Sequence, residues 1–179
     1  TVSSRAAQIS TVFLSSFAQG LVGSAFPASA AVLRGQGLTD PQYGSIFLPQ
    51  MLLAAVGAMG GGFVLDRLGA KRALGLGFVL MALSQAALGA VALAPDGWSY
   101  PLALVGTSLL GLGAGVSAGP LNAYPQVLFA SRSESAVIAL HTVVGVGLAV
   151  TPVLAGAALD RGLWLAVPVL LAAANLALL

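Results

Sequence analysis

Six long apolar stretches, separated by short polar breaks, leave this chain few ways to fold. They cover about residues 9–33, 43–65, 73–94, 102–129, 136–159 and 164–179. A helix needs about 20 apolar residues to cross a bilayer, and only the last stretch is barely long enough. No acidic residue lies inside any of them: Asp40, Asp66, Asp96, Glu134 and Asp160 stand at ends or in breaks. Only 7% of the 179 residues are charged, against about 25% in a soluble domain. The expectation is an all-α integral membrane protein, a six-helix bundle forming one transmembrane domain over residues 1–179. Residues 1–5 do not read as a signal peptide, because no short apolar core and cleavage site follow them.

The breaks carry direction. Arg5, Arg67, Lys71, Arg72 and Arg132 fall on one side of the expected bilayer, Arg34 and Arg161 on the other. The positive-inside rule then puts the N-terminus in the cytoplasm. Thr39-Asp40-Pro41 is a helix-start signal. Trp98 and Tyr100, after the turn at Pro95-Asp96-Gly97, suit an interfacial belt. The net charge of +2 reads as topology. There is no basic patch interleaved with aromatics, so nucleic acid is not an expected partner. With no cysteine, disulfides and thiolate metal sites are excluded, and no cofactor or metal is expected.

The break at residues 62–72 is the most informative. It holds Asp66, Arg67, Lys71 and Arg72, a third of all charged residues. Gly69 sits where a tight turn needs positive φ. Asp66 would end its helix, the unfavourable pole for a carboxylate, so it needs a partner from Arg67, Arg72 or another helix's N-terminus. The spacing resembles the loop signature G-x-x-x-D-R-x-G-x-[KR]-[KR] of the major facilitator superfamily, with Gly62, Asp66, Arg67, Gly69, Lys71 and Arg72 at its key positions. The resemblance implies a gating loop between the second and third helices of a transporter. It covers essentially the whole chain, as that family's N-terminal six-helix half, in a setting such as the bacterial inner membrane.

An internal repeat supports the layout. Gly20-x-x-x-Ser24-Ala25-x-Pro27-x-x-Ala30 recurs as Gly113-x-x-x-Ser117-Ala118-x-Pro120-x-x-Ala123, and Leu65-Asp66-Arg67 as Leu159-Asp160-Arg161. Two three-helix units, about 6–94 and 99–179, follow from this. An odd number of helices per unit makes the repeats inverted.

Two further stretches carry motifs. In the fourth segment Gly111, Gly115 and Gly119 are spaced by four and line one face, which lets helices pack backbone to backbone. In the fifth, Gly147-x-x-x-Thr151-Pro152-x-x-Ala155-Gly156 resembles the family's helix-5 pattern G-x-x-x-G-P-x-x-G-G, associated with antiporters, with Thr151 and Ala155 in place of two glycines. A Pro-kinked helix with small packing residues accounts for it equally well.

Polar residues inside spans normally face the protein interior or a water-filled path. Gln19, Asn122, Tyr124, Gln126 and His141 are the candidates for a substrate path. Asn122 and His141 both fall in the cytoplasmic half, where they could meet. Gln50, Ser84 and Gln85 read as interhelical hydrogen bonds. The run 111–124, with His141 and Gly145-Val146-Gly147, is similar to the fucose:proton symporter branch, though it lacks that branch's acidic residue. His141 is the one histidine in the chain and lies inside a span, and an imidazole is a side chain suited to carrying a proton.

The resemblance implies alternating-access movement of a small, neutral or weakly polar molecule, by symport, antiport or facilitated transport. The partners implied are that solute, the lipid bilayer and a second six-helix half, in the same chain or in a second copy. The face turned to that half would be lined by helices 1, 2, 4 and 5 and carry Gln19, Gly111, Gly115, Asn122 and His141. The alternatives are a non-transporting membrane scaffold or assembly subunit, and an intramembrane enzyme. The spans show no metal-ligand pair, acidic dyad or nucleophile–base pair, so no catalytic residue is assigned.

Overall fold

The computed structural model describes residues 5–179, and these are helical with no strand among them. Most of the signal-peptide question concerns residues 1–4, outside the described residues.

The first segment is a broken rod: α1 Arg5–Gly23, α2 Ala25–Ala28 and α3 Ala30–Gly35. Ser24 (φ −103°, ψ 4°) and Ser29 (φ −96°, ψ 13°) interrupt it. Pro27 lies between them, and its ring nitrogen cannot donate to the Gly23 carbonyl. The second segment is α4 Asp40–Ser45 and α5 Phe47–Leu68. It starts three residues ahead of the apolar stretch because Thr39 and Gln42 close a capping box around Asp40 and Pro41. Next come α6 Ala70–Val91, α7 Ser99–Leu128, a 3₁₀ turn at Ala130–Arg132, α8 Ser133–Leu159 and α9 Ala166–Leu176. Four segments are long and apolar enough to cross a membrane: Asp40–Leu68, Ala70–Val91, Ser99–Leu128 and Ala130–Leu159. The sixth is shorter than its apolar stretch. Trp164 lies in the turn before α9, where its indole N–H donates to Ser29 Oγ at 3.2 Å.

Glycines set how closely the helices approach. The main contacts are α7 with α5 and α6, α1 with α8, and α6 with α9. Where α1 crosses α8, a Cβ on Gly147 would stand 2.5 Å from Phe17 O, and one on Gly20 would strike Val144 O. Where α5 crosses α7, a Cβ on Gly57 would stand 2.5 Å from Leu112 O, and one on Gly115 would strike Ala54 O. These are backbone-to-backbone contacts that no side chain tolerates. Gly111 and Gly115 therefore serve contacts between α7 and α5 inside the described helical unit. That corrects the expectation that they line a face for a second half: α5 already occupies it.

The core fills with Phe26, Phe78, Met81, Leu88 and Leu110 between the first, third and fourth segments. Burial is uneven. The apolar windows of α6 and α7 are 56% and 50% buried, those of the second and fifth segments only 11% and 17%. Ser84 and Gln85 depart from expectation. Both are fully buried on α6, but the Ser84 hydroxyl and both ends of the Gln85 amide have no hydrogen-bond partner. The expected interhelical bonds are absent among the described residues.

Two stability predictions follow from this packing. Gly115→Ala should destabilise the protein by about 1–3 kcal/mol through overpacking. Gly60→Ala, where a Cβ meets nothing within 4 Å, should be neutral or stabilise by up to about 1 kcal/mol. Thermal melting in detergent reads both, and equal effects would contradict the crossing geometry. Gln85→Leu should raise the melting temperature, because it removes an unpartnered buried amide that costs about 1–3 kcal/mol. A large drop would show that the amide has a partner.

Candidate functional site

Three of the five path candidates come together. Gln19 on α1, Asn122 on α7 and His141 on α8 wall one cleft of about 70 Å³, with Ser16 beside them. The walls follow from helix periodicity: Ser16 and Gln19 share a face of α1, Ala118 and Asn122 a face of α7, and His141 and Val144 a face of α8. Ser16 and Gln19 are held close to α8 by the Gly20–Gly147 crossing. Gln19 Nε2 reaches across to α7, 3.5 Å from Ala114 O and 3.4 Å from Ser117 Oγ. Asn122 Nδ2 donates to Ala118 O at 2.8 Å, and the Ser16 hydroxyl to Val12 O at 3.0 Å. Asn122 and His141 are exposed, so the cleft opens outward from the six-helix unit.

Tyr124 and Gln126 are not in this cleft. Tyr124 lies two residues past Asn122, about 200° round the helix. It walls a separate groove of about 770 Å³ with Thr11, Lys71 and Val127. Gln126 shares the azimuth of Asn122 but sits a turn further along α7, exposed and outside the cleft walls. Ser16 and Ser117 are contributors that sequence reasoning passed over. The i, i+3 spacing of Ser16 and Gln19 was the available signal.

The 62–72 loop lies at the end of the molecule that also holds Arg5. Gly69 adopts φ 83° between α5 and α6, as its position in the turn requires. The expected partners do not reach Asp66. The Arg67 guanidinium stacks 4.8 Å over the Phe63 ring, and among the described residues the one ion pair is Arg34–Asp40 at 2.8 Å. Asp66, Arg67, Lys71 and Arg72 are all exposed, and a Cβ on Gly62 would meet nothing within 4 Å. At the same end, the Arg5 guanidinium donates to Leu128 O at 2.6 Å, capping the C-terminus of α7.

The α8 motif is accounted for by a two-way clasp. Pro152 has no N–H, which frees the carbonyl of Leu148 four residues earlier. Ser24 Oγ on the first segment donates to that carbonyl at 2.9 Å. Thr151, standing where the family pattern has glycine, donates its hydroxyl to Leu21 O at 2.8 Å. Gly147 lies at the crossing, whereas Gly156 faces open space. Thr151→Val, which keeps the shape and removes the hydroxyl, should destabilise by about 0.6–2 kcal/mol. Gly156→Ala should not destabilise. If Thr151→Val melts as the parent does, the clasp contributes nothing.

Comparison with known proteins agrees with this architecture. No curated protein matches the chain. The sequence profile of the Major Facilitator Superfamily matches residues 9–179. That span runs from within α1 through α9 and takes in the loop and the cleft. Members of that family are transporters that handle small molecules within a lipid bilayer, and this multi-pass integral membrane protein belongs to the major facilitator superfamily.

Proposed function

We propose that this chain forms one six-helix half of a carrier that moves a small molecule by alternating access. The observation that carries the reading is the cleft of Gln19, Asn122 and His141, which opens outward from the unit. The second and fifth segments, the least buried of the four apolar spans, each leave most of their surface uncovered beyond their crossings with α7 and α1. A second six-helix half, in the same polypeptide or in another copy, completes the path there. Gly60 and Gly145, both facing open space, supply small-residue contact points.

Inverted repeats support the same reading. The α1/α8 and α5/α7 crossings have the same internal geometry, with Gly20 playing the part of Gly115 and Gly147 the part of Gly57. Exchanging the first three segments with the last three turns one crossing into the other. The register so defined pairs Gly20 with Gly115, two residues from the Gly113 of the sequence match.

In this reading the end with Arg5, the 62–72 loop and Arg132 faces the cytoplasm, as in a bacterial inner membrane. Asp66, without an ion pair inside the unit, docks on a helix N-terminus of the second half and locks one gate. The acidic residues Asp40, Asp66 and Glu134 stand at the ends of their spans and none lines the cleft, so His141 is the proton-carrying candidate there, by symport or antiport. A neutral or weakly polar solute suits walls that carry no fixed charge. A membrane scaffold is the competing reading, and transport measurements separate the two.

Asp66→Asn should lower transport in proteoliposomes at least about tenfold with little loss of folded protein, as expected for a lost charge-assisted contact of about 1.5–3 kcal/mol. Unchanged rates would remove the gate assignment. Transport should vary across the histidine titration range of about pH 5–8, and His141→Ala should flatten that profile. A full profile in His141→Gln would make the residue a structural tie. The chain has no cysteine, so a single Gly145→Cys should cross-link to a second six-helix unit in membranes. Gly145→Cys that stays uncoupled and open to lipid-phase reagents would support the scaffold reading.

A further inference from the structure

We propose that the cleft selects solutes presenting hydrogen-bond donors, hydroxyl or ammonium groups, and rejects carboxylates and phosphates. This rests on the reading that the cleft belongs to the transport path.

Most donors around the cleft are already committed to protein acceptors. A carbonyl oxygen can only accept a hydrogen bond. The Gln19 amide must therefore turn its nitrogen, not its oxygen, toward Ala114 O, and Ser117 Oγ takes the second contact. The Ser117 hydroxyl gives its own hydrogen to Ala114 O at 3.1 Å, so its lone pairs are what Gln19 meets. Ser117 is fully buried and acts as a positioning residue, fixing which end of the Gln19 amide stays available. That end is Oε1.

The same logic applies to the other walls. Asn122 must turn Nδ2 toward Ala118 O, which leaves Oδ1 and one N–H. The Ser16 hydrogen goes to Val12 O, which leaves oxygen lone pairs. His141 adds one donor and one acceptor when neutral. Acceptors therefore exceed donors, and no Lys or Arg lines the cleft to neutralise an anion. An entering carboxylate would face the amide oxygens and find only one Asn122 N–H and one His141 N–H to replace its hydration. A hydroxyl or ammonium would donate to Gln19 Oε1 and Asn122 Oδ1. The cleft of about 70 Å³ holds about two waters at ~30 Å³ each, so it receives one end group of the solute.

Equilibrium binding of radiolabelled glycerol, 1,4-diaminobutane, malonate and succinate to the purified protein in mild detergent tests this. A donor-bearing probe should bind at least about tenfold tighter than its acid counterpart, and Asn122→Leu should abolish the difference. Asn122→Asp separates the two donor sources: it shifts preference toward diaminobutane if ammonium is the group bound, and leaves glycerol ahead if hydroxyl is. Acids that bind as tightly as their counterparts, or a set in which no probe binds, would overturn the proposal. The path reading fails separately. In that case donor preference persists, but Asn122→Leu leaves solute uptake by membranes containing the protein unchanged.

Discussion

Direct backbone contact between helices is the constraint on which this structure depends. In a bilayer the lipid tails are as apolar as leucine, so helices gain little from hiding apolar side chains and must gain from close approach. Two crossings supply it, Gly20 with Gly147 and Gly57 with Gly115. The first brings α1 against α8 and so places Gln19 near His141. The second brings α5 against α7 and leaves most of the surface of α5 uncovered. The cleft and the open faces are both consequences of these contacts.

Proline and hydroxyl residues work as a second layer on that scaffold. Each proline inside a helix frees a carbonyl, and a freed carbonyl at membrane depth needs a donor. Pro152 and Ser24 solve this across two helices, and Thr151 returns a bond in the opposite direction. Helix ends at the two extremities are tied in the same manner. Arg5 reaches Leu128 O at one end. At the other, Trp164 reaches Ser29 and Ser45 meets the Tyr100 hydroxyl at 2.9 Å. The side chains at the cleft are thus held by backbone acceptors, which fixes what they can offer a solute.

Much of this was legible in the sequence, for identifiable reasons. Apolar length located the helices, Thr39-Asp40-Pro41 marked a true start, and Gly69 marked a true positive-φ turn. The meeting of Asn122 with His141 followed from their shared depth. What failed depended on azimuth and on partners. Tyr124 is close to Asn122 in sequence and on the other side of the helix. Ser84 and Gln85 are buried on α6 but lack hydrogen-bond partners among the described residues, and a partner depends on tertiary placement that periodicity does not give. Gly111 and Gly115 have the spacing of an interface, and spacing alone does not say which helix fills it. The shortened α9 depends on where Trp164 finds an acceptor, a tertiary fact.

The central claim is that the cleft at Asn122 lies on a path reached in turn from both sides of the membrane. Thiol labelling of a single Asn122→Cys in this cysteine-free chain tests it most directly. In oriented vesicles, a membrane-impermeant maleimide should label the cysteine when applied from either side. A cysteine at Leu83, an exposed position of α6, should respond only to a lipid-soluble reagent. If Asn122→Cys behaves like the Leu83 control, or is closed to both reagents, the cleft is not part of an aqueous path and the account is contradicted.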